Sequence, residues 1–464
     1  MEIKNLIKEE KFEKIDFAQP ENYVLKLKPG LNEETIKEIS NYKNEPKWML
    51  DFRLKSFEIF KGKALPNWGV DLSNINFDEI IYYIKPWERK ASSWEELPQE
   101  IKTTFERLGI PEQERKFLGG IGGMYESEIV IHKIREQLAK KGIIFTDPES
   151  ALKQHEELFK KWFGKIVPPG DNKFAALNSA VWSGGSFIYV PKDVEVELPL
   201  QAYFRINSRN VGQFERTLII ADEGAKVTYI EGCSSPLYTK NSLHAAVVEI
   251  IALKNAHVRY ITIQNWSRNV YNLVTKRAFA YENASVEWFD FNCGSKATMK
   301  YPCVYLLGER AKANTISISI ANRDQHQDAG AKVLHLAPNT SSKIISKSIS
   351  LNGGRTSYRG LLKIIAKAKN SKSFVKCDAL LLDKFSRSDS YPTTQVDAKN
   401  AIVAHEASVG KIDENKIFYL TSRGLNENEA KTLILLGFMS DFVNVLPLEQ
   451  AIEFKKLIEL ELEK

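Results

Sequence analysis

The sequence predicts a mainly β protein, a parallel β-helix (solenoid) core flanked by helical N-terminal and C-terminal domains. Three observations predict it. From about residue 190 to 405 the chain repeats an apolar strand, a turn ending in a small residue, and a second strand; the turns close at Val194, Ala225, Ala256, Ala284, Ala311, Thr340, Ser371 and Ala401. Successive intervals are 31, 31, 28, 27, 29, 31 and 30 residues. A period in this range marks a stacked repeat, and a unit made only of strand and turn stacks as a β-solenoid. Second, the runs inside the repeat, such as Ser186–Val190, Thr217–Ile220 and Ala246–Ala252, are short and β-rich. Third, the texture before about residue 165 and after about 411 is helical. The expected division is therefore 1–165 helix-rich, 166–410 β-helix and 411–464 helical.

The elements follow in order. Asn44-Glu45-Pro46 opens an apolar-rich helix to Phe60, with proline where its missing N–H costs nothing. Gly119–Gly123 reads as a flexible joint leading into a helix over Glu126–Lys141. The turn residues of Pro168–Asn172 separate this region from the repeat. Beyond it, Asp413 is placed to cap a helix that stops at Gly424, and Asn426 with Glu429 forms a capping arrangement for a helix to about Met439. Pro447 precedes an amphipathic helix over Leu448–Leu462. These last helices read either as a cap over the open end of the solenoid or as a cap that also docks another subunit.

The chain has 464 residues, 43% hydrophobic and 27% charged, enough for two or three domains. Its net charge of +6 is spread over 65 basic and 59 acidic residues, a mixed surface that points to neither nucleic acid nor membrane. It lacks eighteen consecutive apolar residues, and its first seventeen lack a signal-peptide core. Cys233, Cys293, Cys303 and Cys377 form no CxxC pair, which excludes a zinc ribbon and fits a reducing cytoplasm. A P-loop is missing: Gly62-Lys63, Gly164-Lys165 and Gly410-Lys411 are followed by Ala, Ile and Ile. GxGxxG fails at Tyr125, and GxSxG and HExxH are absent. Nucleotide-driven or hydrolytic chemistry of its own is therefore not expected.

The repeat places some residues together. Counted from the small turn residue, Cys233 and Gln264 both lie at +8 and stack on adjacent coils, with Trp266 on the same face as Gln264. Cys377 at +6 and His405 at +4 of the next coil share parity, whereas Glu406 at +5 has the opposite parity and joins them only through an irregularity. A thiolate, an imidazole and a carboxylate suit iron or another soft metal. The competing reading is a small buried hydrophobe at each cysteine, a core histidine and a surface glutamate. Cys293 and Cys303 have no such pattern and read as packing residues. Arg205, Asn207, Gln264, Lys276 and Arg277 are either turn and surface residues or, if inward, the lining of a polar channel.

Long ordered stretches carry a resemblance. They include NEPKWMLDFR at 44–53, GGIGGMYESE at 119–128 and PPGDNKFAALNSAVWSGGSFIYVP at 168–191. QAYFRIN at 201–207, GQFERTLIIADEG at 212–224, YIEGC at 229–233 and QNW at 264–266 follow. Then come HLAPNTSSKIISKSIS at 335–350, GGRTSYRGL at 353–361, KCDALL at 376–381, HEA at 405–407 and FYLTSRGL at 418–425. The chain resembles the SufB/SufD family of the SUF iron–sulfur cluster assembly machinery, on the SufB side of it. The resemblance implies a right-handed parallel β-helix and a scaffold rather than an enzyme. It implies a SufC-type ATPase on the C-terminal helices, and a SufD paralogue or a second SufB copy. A cysteine desulfurase with its sulfur-transfer protein would donate sulfur, and Fe–S carrier proteins would receive the cluster. It implies sulfur entry at Cys233 and passage by Arg205, Asn207, Gln264, Trp266 and Lys276. A transient Fe–S cluster would form on Cys377 and Glu406 with His405 close by, and reduced flavin would serve as a further cofactor of the complex. Lys276 and Arg205 are expected either to lower the pKa of Cys233 or to stabilise the migrating sulfur anion. The N-terminal cysteine cluster of some family members is absent, so few thiolates hold the cluster and it is expected to be labile. Rival readings are a secreted β-helix polysaccharide lyase or hydrolase and a structural, SufD-like subunit without a cluster.

Overall fold

The computed structural model describes residues 22–88, 90–91, 96–107, 118–208, 210–236, 241–446 and 448–463. The first seventeen residues and Pro447 lie outside them. The core is a parallel β-solenoid of about 8 turns built from two facing sheets. The first sheet has ten strands, running from Glu128–Ile134 and Gly120–Tyr125 at one end through Leu200–Arg205, Lys226–Ser234, His257–Asn265, Ser285–Cys293, Lys312–Ala321, Ser341–Ser350 and Lys372–Leu381 to Ile402–Lys411. The second has twelve and ends on Arg387–Val396.

The turns explain the period. Asp193, Gly224, Asn255, Asn283, Arg310, Asn339 and Asn370, each one residue before the small residue, all have φ between 55° and 69°. Asparagine, aspartate and glycine tolerate this left-handed conformation, which reverses the chain in one step. The small residue that follows is buried at Ala225, Ala256, Ala284, Ala311, Thr340 and Ser371, where a larger side chain would push adjacent coils apart.

Alternate residues of the first sheet face the interior, among them Tyr229, Tyr260 and Trp288. The others, including Ile230, Ile261, Phe289, Ile316 and Ile345, face outward and are covered by Leu435, Met439, Phe442, Phe454, Leu457 and Ile458. The C-terminal helices therefore lie on the outer face of the first sheet and do not close the open end of the solenoid. Each large apolar side chain buried there contributes about 1.5–3 kcal/mol. The helices themselves form as the caps dictate. Asp413 caps Glu414–Ser422, Asn426 and Glu429 make a complete capping box for Glu427–Phe438, and Leu448–Glu463 follows. At the open end, Arg387–Val396 and Ile402–Lys411 each pair on one side only and are mostly exposed.

The N-terminal region covers the outer face of the second sheet, where Tyr82, Phe174 and Leu177 meet Leu243, Tyr271 and Leu273. Lys47–Gly62 forms the expected helix, and its Arg53 packs over the Trp182 ring and pairs with Glu45 at 2.6 Å. The helix expected over Glu126–Lys141 is not formed. Gly120–Tyr125 and Glu128–Ile134 are strands of the first sheet, and only Glu136–Lys140 is helical.

Burial makes the fold acid-sensitive. It pushes His132 and His335 down to about 4, from 6.5. A histidine whose folded pKa is depressed takes its proton first in the unfolded chain, so stability is lost as pH falls from 6.5 toward 4. At about 1.4 kcal/mol per pH unit, the loss is on the order of 3 kcal/mol per histidine at most. The urea midpoint is expected to drop across this window, and replacing both histidines by glutamine should reduce the slope, with His326, which burial also lowers to about 4, supplying part of the remainder. A midpoint unchanged between pH 6.5 and 4 in the native sequence contradicts the assignment.

Candidate functional site

Parallel pairing in register converts the repeat into columns. Cys233 pairs with Gln264, and Gln264 with Asn292. The column two residues earlier runs Glu231, Thr262, Asp290, Ser317, Ser346, Cys377 across unbroken register. Asn292 continues to Ser319 and Ser348 beside it. On the second sheet His244, Asn272, Thr298, Gln327 and Thr356 form a matching column, all buried. Hydrogen bonds cross between the sheets. Asn272 Nδ2 donates to Gln264 Oε1 at 2.8 Å, Lys276 Nζ to Asp290 Oδ1 at 2.8 Å, and Ser350 and Thr356 hydroxyls meet at 3.0 Å. A polar seam thus runs through an otherwise apolar interior from Cys233 to Cys377. Six neighbouring strands carry it, and their five spacings span about 24 Å.

Cys233 is only 4% exposed. Its Sγ donates to Glu231 Oε1 at 3.7 Å, and Gln264 Nε2 donates to it at 3.9 Å. Burial first, then Glu231 and Glu215, push this thiol well above its usual range; Lys300 and Lys276 offset part of that. Lys276 thus acts on Cys233 in the expected direction, but burial and the two glutamates outweigh it. Lys276 spends its charge on Asp290 and on the Tyr260 ring at 4.5 Å, and Arg205 reaches Ser234 Oγ at 3.2 Å. Lys276 and Lys300 hold Asp290 down to about 2. Trp266 packs against His244 with ring centroids 4.6 Å apart and the planes tilted by 42°, and Asn207 donates to Tyr23 Oη at 3.2 Å. Arg277 has the opposite parity and turns outward to Asp171.

At the open end Cys377 Sγ lies 3.9 Å from His405 Nε2. The imidazole belongs to the exposed last strand and the thiol is 7% exposed, so the pair sits at the mouth of the interior. Burial, with Asp378 adding to it, pushes the Cys377 thiol up to about 12 against a hydrogen bond from Tyr358. The irregularity required to bring Glu406 to this pair is absent. Register between Lys372–Leu381 and Ile402–Lys411 is continuous, and Glu406 stands on the other face with Lys376 at 3.9 Å. Cys293 and Cys303 are buried, and none of the four cysteines is in a disulfide.

Sequence reasoning missed Glu215, Glu231, His244, Asp290 and Lys300. Glu231 and Asp290 were detectable, since both lie at +6 of their coils with the parity of Cys233. His244 and Lys300 sit on the second sheet, where short strands such as Ser242–His244 break the phase.

Comparison with known proteins gives the family. The description "SUF system FeS cluster assembly, SufBD core domain" matches residues 204–438, and "SufBD protein N-terminal region" matches residues 123–202. An iron–sulfur cluster assembly SufBD family protein of Staphylococcus aureus strain MRSA252 is 58% identical over 450 residues, 97% of each chain. A SufBD family protein of Staphylococcus haemolyticus is 57% identical over the same share. The chain belongs to the SufBD family of iron–sulfur cluster assembly proteins. The core match in this SufBD chain begins at Phe204 and takes in Cys233, the seam, Cys377 and His405. Among its described residues no helix is long and apolar enough to cross a membrane.

Proposed function

We propose that this SufBD chain is a SufB-type scaffold for de novo iron–sulfur assembly, not an enzyme with its own turnover. The observation that carries the proposal is the polar seam joining Cys233 to Cys377. Sulfur from a desulfurase and its transfer protein enters at Cys233. The thiol gives its proton to Glu231, and the thiolate attacks the sulfane sulfur of the donor persulfide. The donor S–S bond breaks, the donor leaves as a thiolate, and Cys233 holds the persulfide. Two electrons from a reduced cofactor of the complex then break the S–S bond, returning Cys233 to its thiol and releasing the outer sulfur as hydrosulfide, and hydroxyl and amide groups of the seam offer hydrogen bonds to that anion on its way to the open end. Cys377 and His405 supply two ligands there, and the unpaired edges of the last strands suit a second subunit, a SufD paralogue or another copy, which supplies the rest. Phe418 and Tyr419 on the outermost C-terminal helix are 74% and 57% exposed, and a SufC-type ATPase docking there fits them. Few thiolates make the cluster easy to hand to carrier proteins. Free thiols suit the cytoplasm, and reduced flavin in the complex is one source of electrons.

A structural, SufD-like role is favoured by one observation: Cys233 is buried, and burial with Glu231 and Glu215 beside it holds its thiol well above the usual range. Labelled sulfur from a desulfurase separates the two. Label trapped by alkylation on wild type, lost in Cys233→Ala and chased into acid-labile sulfide whose retention needs Cys377, supports the scaffold. No label on either cysteine, with the partner subunits present, supports the structural subunit.

A further inference from the structure

We propose that Cys233, Glu231 and Glu215 form an interior binding site for a divalent transition-metal ion, with His244 as a positioning residue. One ligand atom from each of the three lies within 4.8 Å of the others, and all three residues are buried. Two atoms bonded to one ion at about 2.0–2.3 Å sit at most about 4.6 Å apart, so a small closure completes the site.

The second observation is how each carboxylate is held. Tyr260 Oη donates to Glu231 Oε2, which leaves Oε1 beside Cys233 Sγ. His244 Nε2 engages Glu215 Oε1, while Glu215 Oε2 is buried and has no hydrogen-bond partner among the described residues. One oxygen of each carboxylate is fixed by an outer partner and the other is left for the cluster, the arrangement that orients metal ligands. His244 is itself anchored by Asn272 Oδ1, 2.7 Å from Nδ1.

A mixed sulfur and oxygen donor set selects iron, cobalt or zinc over magnesium and calcium. The proposed function matters here only in making ferrous iron the ion this chain meets.

The test is anaerobic Co²⁺ titration of the full chain carrying Cys377→Ala, which silences the open-end thiol. The expected result is one equivalent bound, a thiolate-to-cobalt charge-transfer band, and a single sulfur scatterer by X-ray absorption. Adding Cys233→Ser, nearly isosteric, should remove the band and the sulfur scatterer with the melting temperature little changed. Glu231→Gln should weaken binding at least tenfold. No binding, binding without sulfur, or a band that survives Cys233→Ser overturns the site. The readout involves no sulfur transfer, so it fails or succeeds independently of the scaffold reading.

Discussion

Cys377→Ala is expected to abolish the absorbance of an anaerobically reconstituted cluster, alone and with partner subunits, while the fold survives. Three features place the whole effect on this residue. It ends the polar column that begins at Glu231. It is the one cysteine of the chain at the open end, since Cys233, Cys293 and Cys303 lie on earlier coils. Its only close metal-binding neighbour on the same face is His405, at 3.9 Å among the described residues. An imidazole alone is a poor anchor for an iron–sulfur cluster, which thiolates hold. The structural cost is small: loss of one sulfur atom at the edge of the core is about 1 kcal/mol. His405→Ala should act differently, leaving a cluster that forms but is lost faster to a chelator. Glu406→Ala, on the opposite face, should leave reconstitution within about twofold of wild type in the isolated chain, as a surface substitution away from the site does. Iron and sulfide analysis with Mössbauer spectra reads all three. A Cys377→Ala protein that reconstitutes as well as wild type places the cluster elsewhere.

Much of this was legible because a solenoid repeats its geometry. The small turn residues fixed the phase, and the phase fixed which side chains share a face. Cys233 above Gln264, and Cys377 beside His405, follow from counting alone. So does the seam, since positions +6 and +8 read Thr262, Gln264, Asp290, Asn292, Ser317, Ser319, Ser346 and Ser348. What counting does not give is the opposite wall. His244 and Lys300 come from strands of three and four residues whose offsets wander. The strand at Gly120–Tyr125 was illegible for another reason. Its glycines have low β propensity, yet a Cβ on Gly120 would meet the Phe145 ring at 2.6 Å and one on Gly122 the His132 ring at 3.0 Å. Close packing demands glycine there, and pairing with Leu200–Arg205 makes the strand. The site of the C-terminal helices was open to inference too. Outward Ile261, Phe289 and Ile316 form an apolar row that nothing within the repeat covers.

Glu249→Ala should be the most destabilising single change outside the site, costing about 3–5 kcal/mol. Glu249 and Arg216 form a fully buried pair at 2.8 Å, on adjacent strands of the second sheet. The carboxylate also accepts from the backbone N–H groups of Gly164, Ile166 and Val167, at 3.0, 3.0 and 2.9 Å. The guanidinium donates in turn to Ser179 Oγ and Val167 O, both at 2.9 Å. Two side chains therefore tie the segment before the repeat, the Lys173–Val181 helix and the sheet into one unit. Removing the carboxylate strands a buried cation and three backbone donors, two of them buried, and an unsatisfied buried donor costs about 1–3 kcal/mol. Replacing both partners with apolar residues removes the stranded cation but not the orphaned N–H groups. Arg216→Met with Glu249→Leu should therefore recover only part of the loss, and a double-mutant cycle in urea measures that part. A loss under about 1 kcal/mol for Glu249→Ala would mean that water reaches the pair. Glu215, next to Arg216 in the chain, has a carboxylate oxygen within 4.8 Å of Cys233 Sγ, so loosening this joint should also slow sulfur uptake at Cys233, linking the stability of the first coils to the chemistry inside them.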